Sequence, residues 1–140
     1  VPTPEDLGSR DDDSDIATVD AMLDALARSD VRAAGALLTP DVEWRNTGLP
    51  TVRGHHVRRA FNAMVRSGMS FSVVTHHRAA DDGVVLTDRT DVLGIGPLRS
   101  VFPVRGTFVV RDGRIAVWDD QFSMRQFLVG FFRRLPSGAT

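Results

Sequence analysis

The chain has no cysteine, no lysine and no tyrosine. Without cysteine there is no disulfide, no thiolate nucleophile and no cysteine–zinc site. Without lysine there is no Schiff-base chemistry, and without tyrosine no phenolic acid. An excess of one charge is also missing. Seventeen basic residues, all arginine, stand against 18 acidic ones, a formal net charge of −1. That balance leaves no electrostatic footprint for nucleic acid or an anionic membrane. No apolar run approaches the ~20 residues of a membrane span, and no basic-then-apolar leader opens the chain. A cytoplasmic setting is the expectation.

What is present suits one soluble domain. At 140 residues and 42% hydrophobic, the chain is long and apolar enough for one real core. Residues 1–13 hold two prolines and the run Asp11-Asp12-Asp13, so they read as a disordered acidic tail. Residues 14–140 read as a single domain. Ser14 or Asp15 can cap a helix to Ser29 whose apolar stripe is Ile16, Val19, Leu23 and Leu26. Asp30 can cap a short helix that ends before Pro40. Val42–Asn46 reads as a strand and 47–54 as a loop. His55–Ser67 reads as a helix with Val57, Phe61, Met64 and Val65 on one face.

Four strands then follow at Ser70–Ala79, Val84–Leu93, Leu98–Arg111 and Arg114–Phe122. Asp82-Gly83, the stretch Gly94-Ile95-Gly96-Pro97, and Asp112-Gly113 separate them. Ser123 and Gln126 form a capping box for a last helix striped by Met124, Phe127, Leu128, Phe131 and Leu135. Helices followed by a run of strands indicate an α+β fold. Amphipathic helices on the concave face of a curved mixed sheet would enclose a conical, apolar pocket.

The chemistry-bearing residues recur at one spacing. Trp44 and Asn46 share a face of the first strand, Arg89 and Asp91 a face of the central one, and Trp118 and Asp120 a face of the last. If all three pairs point into the cone, its floor carries an amide, a guanidinium, two carboxylates and two indoles. Two carboxylates around one arginine in a dry site are driven to different proton affinities, one acid and one base. A one-residue slip would present Glu43, Arg45, Asp88, Asp119 and Gln121 instead, an ordinary polar exterior. Phe61, Met64, Phe102, Phe122 and Phe127 are candidates for an apolar substrate wall, against the plainer reading of core packing. The pairs His55-His56 and His76-His77 lack metal-ligand spacing, and no metal or cofactor is expected.

Several stretches together resemble the limonene-1,2-epoxide hydrolase family. They are Asp88-Arg89-Thr90-Asp91-Val92-Leu93, Ile95-Gly96-Pro97-Leu98-Arg99, Asp112-Gly113-Arg114-Ile115 and Trp118-Asp119-Asp120. Val42-Glu43-Trp44-Arg45-Asn46 and Arg53-Gly54 fit the family's upstream segment. The resemblance spans residues 15–135. It implies a conical fold related to nuclear transport factor 2, a homodimer and a small apolar epoxide as substrate. It also implies roles for individual residues. Asp120 would deprotonate water, Asp91 would protonate the epoxide oxygen, Arg89 would lie between them and Asn46 would hold the water. No covalent intermediate is implied. Trp44 stands where the family has a water-holding tyrosine, and an indole donates a hydrogen bond but accepts none. That departure opens a second reading, a cyclase of a polyketide-type pathway in which a substrate hydroxyl attacks. A third is a non-catalytic binder of an apolar molecule.

Overall fold

The computed structural model describes residues 4–137, with side chains from residue 11 onward. Helix α1 runs Pro4–Ala27 and α2 Val31–Ala36, followed by strands β1 (Leu38–Asn46) and β2 (Val52–Arg53) and helix α3 (His55–Arg66). Strands β3 (Ser70–Asp81), β4 (Val84–Ile95), β5 (Leu98–Arg111) and β6 (Arg114–Gln121) precede α4 (Met124–Val129) and a 3-10 turn at Gly130–Phe132. The strands form one sheet in the order β2-β1-β6-β5-β4-β3. All neighbours are antiparallel except β1 and β6, which run parallel, so the sheet is mixed. This is the expected α+β architecture, a curved sheet with helices on its concave side.

The helices cover the sheet through the residues that periodicity selects. Val19, Met22 and Leu23 of α1, with Val57 and Phe61 of α3, join Val42, Val85, Phe108 and Trp118 in one buried cluster. Helix α2 is held by the cap expected of it: the Asp30 carboxylate accepts from Ala33 N at 3.1 Å. Two turns carry the sharp reversals, with Asp82-Gly83 and Asp112-Gly113 both at positive φ. That is the backbone shape of a two-residue hairpin.

Several element boundaries differ from those the sequence suggests. Helix α1 starts at Pro4, so residues 4–13 are helical; residues 1–3 of the expected tail lie outside the described residues. A composition that denies a segment a core does not deny it a helix, which closes its own backbone hydrogen bonds. The acid run stays largely solvated, with Asp11 and Asp13 exposed. Strand β1 starts at Leu38 and passes through Pro40, where pairing with β6 slips between Leu38 and Glu43. A proline donates no ladder hydrogen bond and is accommodated at such an irregularity. The 47–54 loop includes the short edge strand β2. The last helix ends at Val129, leaving the stripe residues Phe131 and Leu135 beyond it. Among the described residues, no helix is long and apolar enough to cross a membrane.

Candidate active site

Sheet register brings the chemistry together. Asn46 on β1 pairs with Asp120 on β6, Asp120 with Gly106 on β5, and Gly106 with Thr87 on β4. One row further along, Trp44 pairs with Trp118 and Trp118 with Phe108. Side chains two residues apart share a face, so Thr87, Arg89 and Asp91 on β4 all turn inward and are buried. The opposite parity is the polar exterior. Glu43 pairs there with Arg45 and Arg53, and His77 with Asp88. His76 bonds Thr90 on that same face, because the pairing of β3 with β4 slips between Thr75 and His77.

Arg89 is fully buried. It donates to Asp91 through two arms, Nε to Oδ1 at 3.1 Å and Nη2 to Oδ2 at 3.0 Å. The same Nη2 donates to Asp120 Oδ2 at 3.0 Å. Nη1 points away from both acids, to Thr87 Oγ1 at 3.4 Å, and the guanidinium carbon lies 5.9 Å from the centre of the Phe108 ring. The arrangement fixes a planar cation by its edge, which is what a guanidinium does and an ammonium cannot.

Burial and Coulomb attraction oppose one another at this unit. Burial pushes the Asp91 carboxyl up to about 6, against the pull of Arg89 and with a smaller push from Asp120. Asp120 is raised as well, again by burial first, with Arg89 opposing. The Trp118 N–H adds a smaller lowering without completing a hydrogen bond. Arg89 is raised: burial disfavours its charge, but Asp120 and Asp91 outweigh that. The result is a permanent cation between two carboxyls that resist ionising together.

Asp91 and Asp120 open onto a cavity of about 260 Å³, whose lining is otherwise mostly apolar. Asn46 lines it too, while Arg89 sits behind the two acids. The expected wall residues Trp44, Trp118, Phe61, Met64, Phe102, Phe122 and Phe127 all line it. Trp44 stacks on Trp118 at 4.8 Å and meets the edge of Phe61 at 5.4 Å. Phe127 meets Phe102 edge-on at 5.0 Å. Leu26, Val31, Val65, Leu93 and Met124 are among the other residues of the wall. Of these, Leu26, Val65 and Met124 fall on helix stripes legible in the sequence, but stripe membership alone does not separate cavity wall from core. Trp44 Nε1, Trp118 Nε1 and Asp120 Oδ1 are buried without a hydrogen-bond partner among the described residues. Among the described residues no group of three or more His, Asp or Glu side chains is placed to hold a metal ion.

The fold is the nuclear transport factor 2-like one. Solved structures with this fold include a putative polyketide cyclase from Xanthomonas campestris. Its TM-score is 0.69 at 19% identity, over 85% of this chain and 97% of that one. A nuclear transport factor 2-like protein from Burkholderia pseudomallei has a TM-score of 0.72 at 17% identity, over 86% and 98%. The family is narrower than the fold. A model of the limonene-1,2-epoxide hydrolase catalytic domain matches residues 13–133. The chain is 38% identical over 117 residues to the epoxide hydrolase EphG of Mycobacterium tuberculosis, covering 84% of this chain and 78% of that protein. It superposes with a TM-score of 0.83 on the structure of an LEH-like epoxide hydrolase from M. tuberculosis, at 37% identity over 88% and 92%. The chain belongs to the limonene-1,2-epoxide hydrolase family and is an enzyme of that type.

Proposed function

We propose that the protein opens a small apolar epoxide to a diol by a single acid/base-assisted attack of water. Water attacks a ring carbon while Asp120 takes its proton. The carbon–oxygen bond of the ring breaks as Asp91 gives its proton to the departing oxygen. Asn46 holds the water, and Arg89 holds the two acids in one geometry. The proton gained by Asp120 then returns to Asp91 for the next turnover.

The observation that carries this reading is that one buried guanidinium binds both carboxylates, each of which faces an apolar cavity. A carboxyl raised to about 6 can hold a proton for donation near neutrality. Asp91 fits the acid because burial, the largest influence on it, outweighs the pull of Arg89 and favours the protonated form. Asp120 fits the base because its Oδ1 has no hydrogen-bond partner among the described residues and can accept a proton. Holding water, epoxide and both acids in line replaces much of the entropic cost of bringing them together. The cavity is at the small end of ligand sites, which run ~300–1,000 Å³, so the substrate is small.

Trp44 favours one competing reading. It lies against Trp118 in the row beside Asn46, offers a donor only, and stands where the family resemblance places a water-holding tyrosine. With water less firmly held, a hydroxyl of the substrate could attack with the same two acids, closing a cyclic ether. Turnover of limonene-1,2-epoxide and of a hydroxy-epoxide in oxygen-18 water separates the readings. Labelled diol supports hydrolysis, and an unlabelled ring from the hydroxy-epoxide supports cyclisation. Recovery of both epoxides unchanged leaves binding without catalysis.

A further inference from the structure

Arg89 belongs to β4 and Asp120 to β6, and β5 lies between them. Adjacent strands are ~4.8 Å apart, so the Arg89 and Asp120 side chains together bridge about 10 Å of sheet, whereas Asp91 lies on Arg89's own strand. Gly106 stands in the middle of β5, paired on one side with Thr87 and on the other with Asp120. A Cβ at position 106 would lie 2.7 Å from Arg89 Nη1, 2.7 Å from Thr87 Oγ1 and 2.9 Å from Phe108 Cε1. Gly106 is not at positive φ, so the backbone there does not call for glycine; the space does.

We infer that Gly106 is the notch through which the Arg89 side chain crosses β5, and that Gly106 and Thr87 together position the guanidinium between Asp91 and Asp120. Both are positioning residues; neither faces the cavity's reacting end. Thr87 closes the rear of the notch. Its hydroxyl accepts from Arg89 Nη1 at 3.4 Å and donates to the Gly106 carbonyl at 3.5 Å. An arginine tip on a surface would swing aside for a methyl group. Here the tip is fully buried, tied to two acids and one hydroxyl, and backed by Phe108. The available movement is away from Asp120, the more distant partner in the sheet.

The inference rests on the acid/base reading only for its effect on turnover; its structural content stands separately. The test is Gly106→Ala, examined by crystallography and by carbon-13 titration of the Asp91 and Asp120 carboxyls, with limonene-1,2-epoxide as probe substrate. The expected result is loss of the 3.0 Å Nη2–Oδ2 contact to Asp120. The Asp120 midpoint should rise, because the pull of Arg89 holds it down. Turnover should fall at least tenfold with KM within about threefold of wild type. Thr87→Val, which keeps shape and removes the hydroxyl, should move the titration the same way by less, and Thr87→Ser should restore it. An intact contact with an unmoved titration in Gly106→Ala overturns the inference. Should that variant fail to fold, an unmoved titration in Thr87→Val overturns it instead. A lost contact with unchanged turnover would uphold the notch and count against the acid/base reading.

Discussion

Arg89 Nη2 donates to Asp120 Oδ2 at 3.0 Å, although the two residues lie 31 positions apart and on non-adjacent strands. The same nitrogen serves Asp91 at 3.0 Å. A buried carboxylate is costly unless paired, and here one cation answers for two of them.

Removing the cation therefore strands both acids. Arg89→Met should lower stability by about 3–5 kcal/mol in urea unfolding, the usual result of breaking a buried ionic cluster from one side. The sign with pH follows. Without Arg89 the two carboxyls are harder still to ionise, so the loss should be larger at pH 8 than at pH 5. Equal stability of the variant and the wild type at pH 8 would contradict the pairing.

Activity should depend on pH through the same pair. The acid must carry a proton, so kcat/KM should fall as pH rises through about 6, where burial places the Asp91 carboxyl. The base must be ionised, so the rate should also fall on the acid side as Asp120 becomes protonated. The two limbs belong to the coupled pair rather than to either residue alone. A kcat/KM profile that is flat from pH 5 to pH 9 would contradict this.

Trp44→Tyr should raise hydrolysis several-fold and increase the share of diol over any cyclic product. The phenol oxygen can accept from water as well as donate, which an indole cannot. The smaller ring also gives up part of the stack on Trp118. Product ratios on a hydroxy-epoxide measure the change, and unaltered ratios would remove the reason for considering a substrate hydroxyl as nucleophile.

Much of this arrangement was legible in the residues. Period-two patterning placed Arg89 with Asp91 and Trp118 with Asp120, and burial selected that face of each strand. The turn pairs Asp82-Gly83 and Asp112-Gly113 fixed where the strands end. What periodicity could not supply was lateral register. That Asp120 neighbours Gly106, and Gly106 neighbours Thr87, follows from pairing between strands distant in sequence. Gly106 carried a signal nonetheless, since an isolated glycine inside a strand marks a close approach by another group. The helical start at Pro4 was illegible because acidic composition argues against burial, and a helix can extend without it. The spacing of Leu135 fits the last helix, but the chain tightens into a 3-10 turn at Gly130. A Cβ there would collide with the Val101 carbonyl oxygen, so the turn packs closely on β5.

The central claim is that Asp91 and Asp120 divide acid and base between them across Arg89. Turnover of one epoxide by Asp91→Asn and by Asp120→Asn, each with its fold verified by circular dichroism, tests it most directly. Each variant should lose at least ~10²-fold in kcat, the lower bound for a positioned proton donor or acceptor. A near-native rate in either folded variant would contradict the account.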